Sequence, residues 1–405
     1  MSAALYSRLS VLMFLQFFVW GAWFVTLGTY LSSLGFSGTD IGTAYLTNNL
    51  GAIIAPFFVG MIADRFFASQ HVIGVLHLAG AAILWHVTSL VDADAILLWL
   101  LVYNSCYMSS LALANSIGFA HMHDPDTQFP RARVWGTVGW IVAGLSITLV
   151  LAGHRENVEA SNLPMMMAAI SSLLLGIYAF TLPHTPPVAR GKAVSIGDVL
   201  GFKALALLKD RSFALFAASS LLICIPLAFY YSFANLFLNE IGMEGAAGKM
   251  TLGQMSEALF MLVMPWCFRR LGVKWMLFVG MVAWVVRYAF FGFGSMDLVG
   301  LLYLGILLHG VCYDFFFVTG QIYVNQQATP EIRASAQGFI ALITYGIGMA
   351  VGTYIAGVVV DAFVIEGGHD WRSIWLLPCA FAAIIALLFA VIFKEPVTRT
   401  GGAVT

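Results

Sequence analysis

Apolar residues run along this chain in stretches of about 20, the length that carries an α-helix across a hydrocarbon core. Twelve such stretches can be read, at roughly 9–33, 40–62, 70–90, 96–120, 131–152, 164–183, 212–239, 251–268, 274–293, 298–325, 333–362 and 373–393. The first is too long for a cleaved leader, has only Arg8 before it and lacks a small-residue cleavage site. The longest polar stretch, from Pro183 to Arg211, holds three prolines and five basic residues and divides the spans six and six. Within it, Val199, Leu200, Ala204, Leu205 and Leu208 recur at helical spacing, which predicts a short helix over 196–208 along the membrane surface. The pattern predicts an all-α integral membrane protein of twelve transmembrane helices. Its expected parts are a six-helix bundle over 1–183, a cytoplasmic linker over 184–211, a second bundle over 212–393 and a tail over 394–405.

Composition agrees. Apolar residues make up 60% of the 405 and charged residues 10%, against about 25% charged in soluble domains, and the mean hydropathy is +0.89. The lipid bilayer is thus the first expected partner. A net charge of -1 gives no footprint for nucleic acid. Cys106, Cys224, Cys267, Cys312 and Cys379 all lie in apolar runs without metal-ligand spacing and read as small hydrophobes. With the N-terminus inside, only Arg155, Lys249 and Arg372 of the nineteen Lys and Arg fall in outer loops, and only Arg287 within a span. This asymmetry puts both termini in the cytoplasm and the chain in a cytoplasmic (inner) membrane. An odd number of spans would scramble it.

Candidate chemistry sits where polar groups enter the apolar runs. In Phe129–Trp140, Arg133, Thr137 and Trp140 fall at i, i+4 and i+7 and share a helix face. A guanidinium, a hydroxyl and an indole on one stripe suit a small polar ligand; alternatively Arg133 is an interfacial cation and Trp140 lipid-facing bulk. Gln16, Trp20 and Trp23 share a face of the first span, where packing is favoured over a polar path. In the eighth span Gln254 and Glu257 lie at i, i+3 and can meet one ligand. Asp314 sits near the middle of the tenth, where a charge costs about 2.5–3.5 kcal/mol. A carboxyl there must be paired, wet or protonated, which suits a proton carrier; the alternative is a structural pair with Arg287. His309 and Tyr313, at i and i+4, share a face of the same span.

Gly60-Met61-Ile62-Ala63-Asp64-Arg65 resembles the G-x-x-x-D-R signature of the major facilitator superfamily, though Phe66-Phe67-Ala68-Ser69 replaces the usual following residues. The resemblance implies that Asp64 and Arg65 form a conformational latch. Pro130 and Arg133 before the fifth span, and Pro330 and Arg333 before the eleventh, are consistent with that superfamily's parallel six-span repeats. Gly348 and Gly352 of the eleventh span suggest close contact with a neighbouring helix. The strings Leu15–Trp23, Trp135-Gly136-Thr137, Gln254-Met255-Ser256-Glu257, Tyr313-Asp314-Phe315-Phe316 and Ile332–Gly338 are similar to those of nucleoside:proton symporters, over nearly the whole chain.

This resemblance implies the major facilitator fold, with a central cavity between two bundles that opens to either side in turn. It also implies substrate contacts at Arg133, Thr137, Trp140, Gln254 and Glu257, and proton coupling at Asp314 together with Glu257. Departures occur at Ala228 and Tyr231, where nucleoside carriers have amides, and at His309, Tyr313 and Phe317, where Tyr, Phe and Asn are expected. Fewer hydrogen bonds to a base edge would shift the preferred substrate. The Arg131-Ala132-Arg133 string with Trp140 is also similar to that of lactose-permease-type carriers, which implies sugar hydroxyls as a shared ligand.

The expected function is proton-coupled import of a nucleoside or nucleoside-like ribosyl compound. Tyr231, His309 and Tyr313 join the substrate contacts, the proton gradient takes the place of any cofactor, and a monomer is expected. The alternatives are a proton-coupled sugar or oligosaccharide permease and a metabolite or drug exporter. No nucleophile–base pair, metal cluster or phosphate loop points to an enzyme.

Overall fold

The computed structural model describes residues 2–154, 157–187, 202–329 and 332–394. The Asp64 side chain, Pro330, residues 196–201 of the expected surface helix and the tail beyond Lys394 lie outside that description. Within the linker, Phe202–Lys209 forms a 3-10 helix.

Buried in hydrocarbon, a backbone must satisfy its own hydrogen bonds, and helices do so within one segment. The first half contains α1 (Ala3–Gly21), α2 (Leu27–Ser33), α3 (Gly38–Arg65), α4 (Ser69–Val87), α5 (Ala93–Ala120), α6 (Pro125–Leu149) and α7 (Leu163–Ala179). The second contains α8 (Arg211–Glu240), α9 (Ala246–Phe293), α10 (Val299–Gln327), α11 (Ser335–Ala362) and α12 (Trp371–Ile392). Among the described residues, nine helices are long and apolar enough to cross a membrane, and the apolar α7 is shorter. One of the nine, α9, runs for 48 residues but turns at Gly272, whose φ of 68° and ψ of -179° suit glycine and break the helix in two.

The first expected span is not one helix. Between Gly21 and Leu27 the bonding shifts, with Trp23 N–H and Phe24 N–H both donating to the Trp20 carbonyl, at 3.4 and 3.1 Å. Tyr45 repairs the break: its hydroxyl accepts from Gly28 N–H (3.1 Å) and donates to the Phe24 carbonyl (2.8 Å). Acids at helix starts serve as caps. Ser37 and Asp40 form a reciprocal capping box on α3, and Asp92, Asp210 and Asp370 accept from the first turns of α5, α8 and α12.

Within the first half α1 packs on α6, and α4 on α5 and α7; in the second, α9 packs on α12 and α8 on α11. The halves meet where α3 lies on α11 and α6 on α9. Glycine makes the first crossing possible. A Cβ on Gly42 would run into the Thr353 carbonyl and stand 3.2 Å from Gly357 Cα, so backbone touches backbone there. Gly348 and Gly352 instead seat α11 on α8, the latter against Ile225 and Ala228.

Gly42→Leu is expected to destabilise the purified protein by about 1–3 kcal/mol through overpacking. Gly60→Leu, where an added Cβ meets no described atom of another helix within 4 Å, should be neutral. Thermal unfolding in detergent compares them.

Candidate functional site

On α6, Arg133, Thr137 and Trp140 are all half-buried, as one shared face requires. The Arg133 guanidinium lies over the Phe17 ring, 3.9 Å from its centre. Gly136 leaves room for this, since a Cβ there would come within 2.8 Å of the guanidinium and 2.6 Å of Phe17. Trp140 meets Trp20 edge-on at 5.4 Å and packs on Gly21. The other polar members of the α1 face are packed. Trp23 is buried against Tyr103, and buried Gln16 donates to Ser110 (2.8 Å) and meets His77 (3.1 Å).

The opposite wall comes from the second half. Gln254 of α9 and Tyr231 of α8 line a small pocket with Trp140 and Phe24. His309 stands edge-on to Tyr231 at 6.3 Å. Gly310 lets α10 touch α9: a Cβ would lie 2.6 Å from the backbone of Ser256 and Glu257. The Ser256 hydroxyl mends the break in α10, donating to the Leu307 carbonyl (2.6 Å) and accepting from Gly310 N–H (3.0 Å).

Arg133, Glu257 and Tyr313 lie within electrostatic reach of one another across this space. Asp314 is fully buried, and among the described residues neither of its carboxyl oxygens has a hydrogen-bond partner. The alternative pairing of Asp314 with Arg287 is not formed. Arg287 turns away to His309, with Nη1 3.1 Å from Nδ1, and onto the Tyr230 ring, 3.3 Å from its centre. Aromatic faces and an imidazole stand where the sequence suggested a carboxylate.

Asp314 also opens a π-helical turn, Asp314–Val318. A second one, Leu342–Gly348, lies in α11 and carries Tyr345. The two meet at their edges: the Tyr345 hydroxyl donates to the Tyr313 hydroxyl at 3.0 Å, and Phe317 stacks on Tyr345 at 5.2 Å. Such wide turns are frequent at functional sites. Tyr345 was invisible in the sequence because a π turn has no residue signature of its own. Of the departing positions, Ala228 is buried against Gly352, whereas Tyr231 and His309 face one another.

Sequence reading also missed the closure at the end away from the chain termini. Glu159, 2% exposed, accepts from Asn235 (2.7 Å) and Asn239 (3.0 Å) of α8, and from Ala247 N–H in the first turn of α9 (3.0 Å). Asp361 of α11 accepts from Gly38 N–H (2.5 Å) and Thr39 N–H (2.8 Å) in the first turn of α3. Each half therefore sets a carboxylate on the positive end of a helix in the other half. The sequence hint was the Asn235/Asn239 pair at i, i+4.

The family model described as nucleoside H+ symporter matches residues 1–398. A putative nucleoside transporter of Escherichia coli (strain K12), YegT, is 43% identical over 400 residues, 96% of this chain and 94% of its own. Xanthosine permease of the same organism is 34% identical over 405 residues, covering 96% and 95%. The crystal structure of the nucleoside transporter NupG superimposes with a TM-score of 0.87 at 32% identity, covering 96% of this chain and 99% of that one. A bacterial homolog of the lysosomal transporter Spinster, at 14% identity and a TM-score of 0.76, shares the fold.

Glu159→Gln removes a charge that bonds to several donors and should lower stability by about 1.5–3 kcal/mol. Asp314→Asn removes a carboxyl with no partner and should leave thermal unfolding unchanged or raise its midpoint; a parallel melt of both variants checks the contrast.

Proposed function

The chain belongs to the nucleoside H+ symporter family and is a membrane transporter rather than an enzyme; from that premise we propose how its residues divide the work. It carries nucleosides together with protons. Twelve spans in two bundles would rock about the space between α6 and α9. The termini would lie in the cytoplasm of an inner-membrane monomer, as the distribution of Lys and Arg supports. The closure made by Glu159 and Asp361 is then on the outer side. Asp64 and Arg65 would latch the inner side in the opposite state.

Arg133 orients ligand hydroxyls through its planar fork, held flat by Phe17. Trp140, Tyr231 and Tyr313 stack on sugar or base. Thr137, Gln254, Glu257 and His309 supply hydrogen bonds. Asp314 carries the proton, coupled through the cavity to Glu257. One observation carries this assignment: Asp314 is buried with both oxygens unpartnered, within reach of a second acid. A carboxyl so placed is stable when a proton neutralises it and costly when bare. Gaining and losing that proton therefore shifts the balance between the two conformations, which is what coupling requires.

Labelled uridine and adenosine should accumulate in proteoliposomes under an inward proton gradient, with unlabelled sugars unable to compete. Accumulation of a sugar with no uptake of either nucleoside would move the substrate class to a sugar permease built on the same Arg133 and Trp140. Asp314→Asn should retain nucleoside exchange and lose gradient-driven accumulation; accumulation at the parent level would refute its role.

A further inference from the structure

Arg287 has no solvent exposure, and two of its guanidinium nitrogens, Nε and Nη2, are buried without a hydrogen-bond partner among the described residues. No carboxylate among the described residues pairs with it. Its remaining nitrogen, Nη1, stands 3.1 Å from Nδ1 of His309. A guanidinium carries donors only and stays charged. The contact thus has one polarity: Arg287 donates and Nδ1 accepts. A ring whose Nδ1 is bare holds its single proton on Nε2.

The ring is also held in place. His309 stacks on Tyr230 at 5.6 Å with 27° between the planes, and the same Tyr230 lies under the Arg287 guanidinium. Gly253 lets α9 pack closely against His309, since a Cβ there would lie 3.1 Å from the histidine Cβ, tighter than ordinary contact. Nε2 lies 3.8 Å from Glu257 Oε2. That gap is too long for a direct hydrogen bond, so a donor and an acceptor stand side by side with neither spent on the other.

We propose that Arg287 is a positioning residue for substrate recognition, fixing His309 as a neutral ring whose Nε2–H donor stands beside Glu257. The ligand this pair fits carries an acceptor next to an N–H or hydroxyl, as the edge of a nucleobase does. The proposal rests on the reading of His309 and Glu257 as site residues. It gives the intramembrane arginine a part in specificity, acting through the imidazole without entering the cavity.

Two measurements test it on the full chain. In detergent-solubilised protein labelled with 15N-histidine, the signal lost in His309→Gln should be that of a neutral ring with bare Nδ1 and protonated Nε2. Arg287→Met should release this tautomer into a mixture. Arg287→Lys, which keeps one donor, should retain it and serves if the Met variant does not fold. A protonated Nδ1 in the parent, or an unchanged ring in Arg287→Met, overturns the proposal. In proteoliposomes, Arg287→Met should raise KM for uridine about tenfold, the worth of one hydrogen bond, with kcat little altered. His309→Phe should do the same, and the double variant should be no worse than His309→Phe. Additive losses would mean that Arg287 does not act through His309. Should the parent take up no uridine, the nucleoside reading fails, and the ring measurement decides the proposal alone.

Discussion

A charge placed in an apolar slab must be answered by a partner, by water or by a proton, and the interior of this protein is arranged around how each is answered. Arg133 lies against Phe17, within electrostatic reach of Glu257. Arg287 is answered by the Tyr230 face and a lone pair of His309. Glu159 and Asp361 are answered by helix starts. Asp314 has no answer among the described side chains, and it is the acid best placed to be answered by a proton.

The packing serves those placements. Glycines stand where helices close to backbone distance, Gly42 and Gly357 between the halves and Gly310 beside Glu257, while Gly136 makes room for the Phe17 ring and the Arg133 guanidinium. Larger residues at these points would push the charged groups apart. Aromatic rings fill much of the remaining volume, and they present faces that tolerate a cation. The candidate substrate space is thus framed by rings, with polar groups on α6, α9 and α10 around it.

Much of this was legible in the sequence. The apolar runs anticipate the helices, and the i, i+4, i+7 spacing puts Arg133, Thr137 and Trp140 on one half-buried face. The Gly348–Gly352 pair does seat one helix on another. What escaped depends on contacts between distant parts of the chain. A pair between Arg287 and Asp314 is the alternative that opposite charges suggest, yet the guanidinium turns to His309, 22 positions along the chain. The break of the first span after Gly21 is mended by Tyr45 from the next helix. Glu159 lies in a loop, where an acid usually means no more than solubility, and its partners are 76 to 88 positions away.

The turn at Gly272 sets a measure along the chain. Glu257 stands fifteen residues before it and Arg287 fifteen after. At about 1.5 Å per helical residue each lies roughly 22 Å from the corner. The two arms of the hairpin therefore bring both groups to one level, where His309 fits between them. With no loop to absorb a change, one residue inserted in either arm would rotate its charged group by about 100° and shift it by about 1.5 Å. The length of the hairpin is thus as much a part of the proposed recognition site as the residues that line it.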